Sequence, residues 1–324
     1  MHPLQRLGRL ITDLPTLAPA GAGEEFGTAA VVRLAAALDG DSGIWASGAL
    51  TAQGPDFHTV SLWRQPPEML QDYEAIKQHD PLFAEASAQP GRAFSGSAAS
   101  ALPPVFKPFV ERYGLAQALS AMVVHSQSGL LNGFSIWRRA PDRPFGADDE
   151  ALLEAALPHL VAEAQARLLR AGAGPAPVLA RGSADGRGRL HAVTSRFMDL
   201  MALHWPGWRG PDLPPELAAR LPLLRPAQPW VLGPLVLRGT PSPPYVLLDL
   251  RPRQPWDGLS VREQTVAGLA ADGASHKEIA QALGLAPATV RNHLARIYQA
   301  LDVHHRTQLQ ARRAAARFAP DADG

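Results

Sequence analysis

"SHKEIAQALGLAPATVRNHL", Ser275 to Leu294, reads as a helix that stops and restarts within four residues. Ser275 and Glu278 stand at capping-box spacing and open the first segment. Gly284 closes it, and Pro287 is suited to the first position of the next helix, which runs to about Leu301. Upstream, Ser260 and Glu263 repeat the capping box for a helix ending at Gly273. Downstream, a fourth helix is expected from Arg306 to about Phe318. No strand pattern occurs from Leu259 onward, so this end of the chain reads as all-α.

A short helix, a tight turn and a longer helix match the helix-turn-helix layout, in which the second helix enters the DNA major groove. At 100° per residue Val290, Leu294, Ile297 and Leu301 fall on one side of that helix. Arg291, Asn292, Ala295, Arg296 and Gln299 fall on the other, which carries no acid. Arginine and asparagine suit bidentate contact with guanine and adenine edges. The same geometry also fits an ordinary antiparallel helix pair with solvated arginines. Charge favours a polyanion: Leu259 to Pro320 holds eight Lys and Arg against four Asp and Glu, while the whole chain is near neutral at +1.

The residues in order decide between these. L-S-x-R-E at Leu259 to Glu263, G-x-S-x-K-E-I-A at Gly273 to Ala280, T-V-R-x-H at Thr289 to His293 and L-x-V-x-x-R-T at Leu301 to Thr307 resemble the LuxR-type (GerE) DNA-binding domain. The resemblance implies that Arg291 and Asn292, with Arg296 and Gln299 on the same face, meet base edges. It places Lys277, Thr289 and His293 near phosphates; Lys277 is one of only three lysines, with Lys77 and Lys107. It further implies double-stranded DNA with a two-fold operator, a homodimer paired through the helix from Arg306, and RNA polymerase as a further partner. Two residues depart from the family pattern. Ala295 stands where a second basic residue is common, and Ala286 stands at an N-cap where Ser is usual, a loss of about 1 kcal/mol.

The rest of the chain has two textures. To about Arg170, alternating stretches such as "HTVSLW", "AMVVH" and "GFSIW" interleave with helical periods such as "EEFGTAAVVRLAAAL" and "PVFKPFVERYG". This is an α+β pattern, closed by a long helix in "FGADDEALLEAALPHLVAEAQARLLRAGAG". Leu153, Leu157, Leu160, Ala164 and Leu168 share one stripe of that helix, and Pro158 is expected to kink it. "AGAGPAP" reads as a linker. From Pro177 to Pro255 a Pro-, Gly- and Leu-rich stretch carries a strand in "PVLARG", a helix in "VTSRFMDLMALHW" and a hairpin in "WVLGPLVLRGTPSPPYVLLDL". It reads as a reduced α+β module, too short for a large core of its own.

The α+β order and the long helix resemble the GAF-like sensor of many LuxR-type regulators, and the middle stretch resembles a truncated PAS domain. The expected division is therefore a GAF-like sensor with its linker helix at 1–172, a reduced PAS-like module at 173–255 and a LuxR-type domain at 256–320. A fainter resemblance is to the domain that reads acyl-homoserine lactones, carried by Tyr73, Asp80-Pro81 and Ala93-Phe94-Ser95. The tryptophans of that family are replaced here, with Met69 and Leu70 before Tyr73 and Gly96 after Ser95. A small-molecule pocket is expected among Trp45, Trp63, Tyr73, Asp80, Met122, Phe134 and Trp137, although the same side chains also suit a filled core.

Composition narrows the remaining classes. The chain has no cysteine, which removes disulfides and thiolate chemistry and fits a reducing compartment. No signal-like or membrane-spanning run is present, so a cytoplasmic protein is expected. Neither a receiver-type acidic pocket nor the phosphate loop G-x-x-x-x-G-K-[ST] occurs. No Ser-His-Asp order or carboxylate pair stands out, and the chain reads as a binding protein and not an enzyme. His293, His304 and His305 lack a cysteine or paired acid to complete a metal set, and His125 and His159 stand alone. No cofactor is expected. The alternative to a ligand-responsive regulator is a protein-interaction scaffold whose GAF-like domain is structural and ligand-free.

Overall fold

The structure, a computed structural model, describes residues 3–18, 23–51, 54–100, 102–170, 180–224 and 229–316. The expected linker "AGAGPAP" lies outside the described residues, as do 177–179 of "PVLARG" and the chain beyond 316.

Helices α1 (Pro3–Asp13) and α2 (Gly23–Ala37) lead into strands β1 (Ser42–Thr51) and β2 (Gly54–Trp63). Helices α3 (Glu68–Glu74) and α4 (Pro81–Ala88), strand β3 (Ala93–Ser97) and helix α5 (Lys107–Tyr113) follow. Strands β4 (Gln117–Val124) and β5 (Leu130–Arg138) complete an antiparallel sheet of order β2-β1-β5-β4-β3. Alternation then assigns each residue a face. Trp45, Leu119, Ala121, Phe134 and Ile136 pack under α1, α2 and the long α6 (Ala147–Arg170). The opposite face is covered by α3, α4 and α5. Helix α6 runs through the exposed Pro158 without a break, and Leu152, Leu153, Ala156, Leu157 and Leu160 are its buried stripe.

A second antiparallel sheet is built from β6 (Arg181–Asp185), β7 (Leu190–Val193), β8 (Trp230–Leu232), β9 (Leu235–Ser242) and β10 (Tyr245–Pro252). Helices α7 (Ser195–His204) and α8 (Pro215–Ala218) lie between β7 and β8 in sequence. Its order, β7-β6-β10-β9-β8, repeats that of the first sheet strand for strand. This corrects two expectations. The stretch from Trp230 to Leu250 forms three strands and not one hairpin, since Gly233 at φ 55° and the Pro243-Pro244 corner each turn the chain. The module also has a core of its own, with Phe197, Met201, Leu190, Leu237 and Leu248 fully buried.

The two α+β units are joined by more than chain. Leu130 of β5 is buried in the second core, and the C-terminal carbonyl of Leu169 in α6 accepts a 2.8 Å bond from Arg181 of β6. Arg181 in turn pairs with buried Asp249 on β10.

The helical end comprises α9 (Val261–Asp272), α10 (His276–Leu283), α11 (Pro287–Leu301) and α12 (Arg306–Ala315). Val266, Ile279, Val290, Ile297 and Leu309 form its fully buried centre. A single 3-10 turn, Pro255–Gly258, separates it from β10. Among the described residues no helix is long and apolar enough to cross a membrane.

Candidate nucleic-acid interface and internal cavity

Each helix boundary in the last domain has a local cause. Ser260 accepts from the Glu263 N–H while the Glu263 carboxylate accepts from the Ser260 N–H, and Ser275 and Glu278 do the same. Gly273 at φ 110° and Gly284 at φ 63° end α9 and α10 in left-handed caps, where a β-carbon would be strained. Pro287 occupies the first turn of α11, and Ala286 caps it with no side-chain hydrogen bond.

These caps fix how α11 is turned. Val290, Leu294, Ile297 and Leu301 are buried, as the period requires. Arg291, Asn292, Ala295, Arg296 and Gln299 are exposed, Thr289 and His293 are half-buried, and Lys277 is exposed on α10. All seven residues expected to meet DNA are therefore at or near the surface. The face is not wholly free of acid: Glu263, from α9, lies close enough to His293 and Arg296 to feel them. Its carboxyl is held below the usual range by the Ser260 hydroxyl and N–H, with further lowering by His293 and Arg296. Sequence inspection missed this neighbour because it belongs to another helix.

Residues 257–312 match the family model for bacterial regulatory proteins of the luxR family (GerE). The C-terminal segment is a LuxR-type domain. No curated protein matches the chain. Among solved structures the chain is similar to the N-acylhomoserine lactone dependent LuxR family transcription factor CepR2 of Burkholderia cenocepacia, at 21% identity and TM-score 0.39, over 53% of this chain and 99% of that one. It is also similar to Escherichia coli SdiA, at 14% identity and TM-score 0.39, over 97% of each chain. A third likeness is to the GAF domain of a phosphoenolpyruvate-protein phosphotransferase of Coxiella burnetii, at 18% identity and TM-score 0.37, over 50% of this chain and 92% of that one. All three TM-scores are below 0.5, so the assignment to the LuxR type rests on the C-terminal match.

In the first α+β unit, a cavity of about 710 Å³ lies between the first sheet and helices α3, α4 and α5. Of the seven residues considered for a pocket, Tyr73, Asp80, Met122, Phe134 and Trp137 border it. Trp45 and Trp63 do not. Their neighbours Ile44 and Leu62 take the α3–α5 side, so one step of alternation turns both indoles to the helix α2–α6 side. There Trp45 stacks on Phe134 at 4.6 Å and donates to Asn132 at 3.1 Å. The Phe134 ring accordingly belongs to that core even though the residue borders the cavity.

The polar groups of the cavity are few. On its floor the Ser120 and Ser135 hydroxyls, paired across β4 and β5, lie 2.8 Å apart. On its wall the Tyr73 hydroxyl donates to Asp80 at 2.9 Å, while the other Asp80 oxygen caps α4 through the Leu82 and Phe83 N–H groups. Burial raises the Asp80 carboxyl above its usual range despite these bonds. Burial, followed by the Asp80 charge, pushes the Tyr73 hydroxyl well above its own.

A third cluster was not legible in the sequence. Edge strands β2 and β7 meet through side chains: the His58 and His191 rings are 4.2 Å apart, and His191 also packs on Tyr245 at 4.6 Å. Asp185 lies 3.3 Å from the other side of His191. Next to His58, Asp56 pairs with Arg189 at 2.5 Å, and Arg189 with Asp212 at 2.8 Å. Among the described residues no group of three His, Asp or Glu is arranged to hold a metal ion.

Proposed function

We propose that the chain is a DNA-binding transcriptional regulator, working as a homodimer, whose first α+β unit senses a small molecule in the cavity. The observation that carries this is the exposed face of α11, with Arg291, Asn292, Arg296 and Gln299 presented by a helix whose start and rotation are fixed locally. Arg291 and Asn292 read base edges; Lys277, Thr289 and His293 hold phosphates; α12 pairs with its twin, so the operator is two-fold and RNA polymerase is met nearby. The chain binds and does not transform its ligand, works in the cytoplasm, and divides at 1–172, 173–255 and 256–320. The first unit is GAF-like and the second PAS-like, a reading supported by the repeated strand order.

The test is fluorescence anisotropy on labelled duplex DNA at two salt concentrations. Binding loses orders of magnitude between ~50 and ~200 mM salt if it rests on phosphate contacts. Lys277→Ala weakens all sequences alike and flattens the salt slope by about one, whereas Arg291→Ala relaxes base preference by ~1–3 kcal/mol. Equal losses on preferred and random duplexes for Arg291→Ala would remove the base-reading role.

A further inference from the structure

The exposed face of α11 contains, among its polar side chains, a position that offers no hydrogen bond. Ala295 is exposed, and its neighbours one turn away on the helix are Arg291 and Asn292 on one side and Gln299 on the other, all exposed as well. Val290, Leu294, Ile297 and Leu301 hold the opposite side of the helix in the core, so these four residues face away from the domain. Between three longer polar side chains, an alanine leaves a hollow with a methyl group at its base. Ala288 and Ala300 are exposed too, but they stand near the two ends of α11. Of the three, Ala295 is the one set between Arg291, Asn292 and Gln299.

The chemistry of the duplex decides what fills such a hollow. In the major groove the base edges present hydrogen-bond donors and acceptors, and the one apolar group is the C5-methyl of thymine. A donor or acceptor pressed against Ala295 gives up water and gains no partner. A thymine methyl in the same place gives up nothing polar, and apolar area is buried on both sides. The shortness of the side chain also lets the helix approach closely enough for methyl to touch methyl.

We infer that Ala295 is a specificity-determining residue, selecting thymine through its C5-methyl at a base pair adjoining those read by Arg291 and Asn292. The inference rests on α11 being the base-reading helix.

The experiment takes a duplex selected by the intact protein from a random pool and replaces each thymine in turn by deoxyuridine, which lacks the C5-methyl and keeps every hydrogen-bonding group. At one thymine of the half-site the replacement weakens binding about fourfold, the worth of one buried methyl. In Ala295→Gly that same replacement costs nothing further. Ala300→Gly, which lowers helix propensity equally, keeps the fourfold penalty. Ala295→Arg, a good helix former, moves the preference at this base pair from T·A to G·C, because arginine bonds the guanine O6 and N7. A deoxyuridine penalty of the same size in the unaltered protein and in Ala295→Gly overturns the inference, as does an unchanged base preference in Ala295→Arg. A selected sequence that is degraded by Arg291→Ala yet indifferent to every thymine methyl removes the role of Ala295 alone. A pool that yields no shared sequence removes the base-reading role of α11, and this inference with it.

Discussion

Asp56 borders the cavity of the first α+β unit, and its carboxylate lies 2.5 Å from the guanidinium of Arg189 in the second. One side chain thus belongs to both the wall that would feel a ligand and the contact that joins the two sheets. Arg189 is held from the far side by Asp212, so a shift of Asp56 changes a three-membered chain of charges. The Asp56 side chain is 47% exposed, and the pair is worth at most about 1 kcal/mol, which suits an equilibrium that a ligand can tip. Asp56→Asn is expected to raise amide exchange in β2 and β7 while leaving that of α9 to α11 unchanged, read by hydrogen-exchange mass spectrometry. Unchanged exchange in both strands would show that the contact holds without this pair.

The histidine pair makes the same contact pH-dependent. Burial first, then the charges of His191 and Arg189, lower His58 from 6.5 to about 4, against the raising effect of Asp185 and Asp56. Burial also lowers His191, opposed by Asp185. Both groups are therefore neutral in the docked state and protonate more readily when released. The contribution of His58 is fully present above the ordinary histidine pKa and is lost as pH falls from about 6.5 toward 4, and that of His191 has the same sign. Urea midpoints measured across this range should fall with pH, and His58→Gln should flatten the fall. A slope unaltered by that substitution would place the titration elsewhere.

The entry to the LuxR-type domain is clamped. Asp257 accepts two 2.6 Å bonds from Arg251 at the end of β10 and one of 2.7 Å from the Gln254 N–H. The side chains are 9% and 13% exposed. Removing the carboxylate takes two charge-assisted bonds from a largely covered guanidinium that keeps its bond to the Pro252 carbonyl, and Asp257→Ala is expected to cost about 2 kcal/mol. Differential scanning calorimetry should then show the helical domain melting apart from the sheets. A single transition at the original temperature would mean that the clamp does not couple them.

Ala286 offers a gain. Its backbone is extended at φ −75° and ψ 143°, as an N-cap should be, but it supplies no oxygen to α11. Ala286→Ser should stabilise the domain by about 1 kcal/mol in chemical denaturation. No change would mean that solvent already satisfies those N–H groups.

The helical end could be read from sequence because its signals are local. Ser260 with Glu263, Ser275 with Glu278, and Gly284 with Pro287 each act within four residues. The cavity was half legible, since the side a strand residue takes depends on its register. Ile44 and Trp45 differ by one step and serve opposite faces. Strand β1 escaped notice because Gly43 and Gly48 interrupt its apolar run; Gly48 is glycine because a β-carbon there would strike the Asp56 backbone where the register shifts. The additional strand of the second sheet, β8, is only three residues long and is set off from β9 by Gly233 and Pro234 alone, too little for alternation to show. His58, His191 and Glu263 owe their roles to partners far along the chain, which no spacing rule reports.

Selection of binding sites from a random duplex pool by the intact protein is the measurement to make first. Enriched sites should carry two half-sites in two-fold relation, centred about one helical turn or ~10 base pairs apart, and Arg291→Ala should degrade the same position in both halves. A pool that yields no shared sequence, or only a single unpaired half-site, would contradict a dimeric regulator reading DNA through α11.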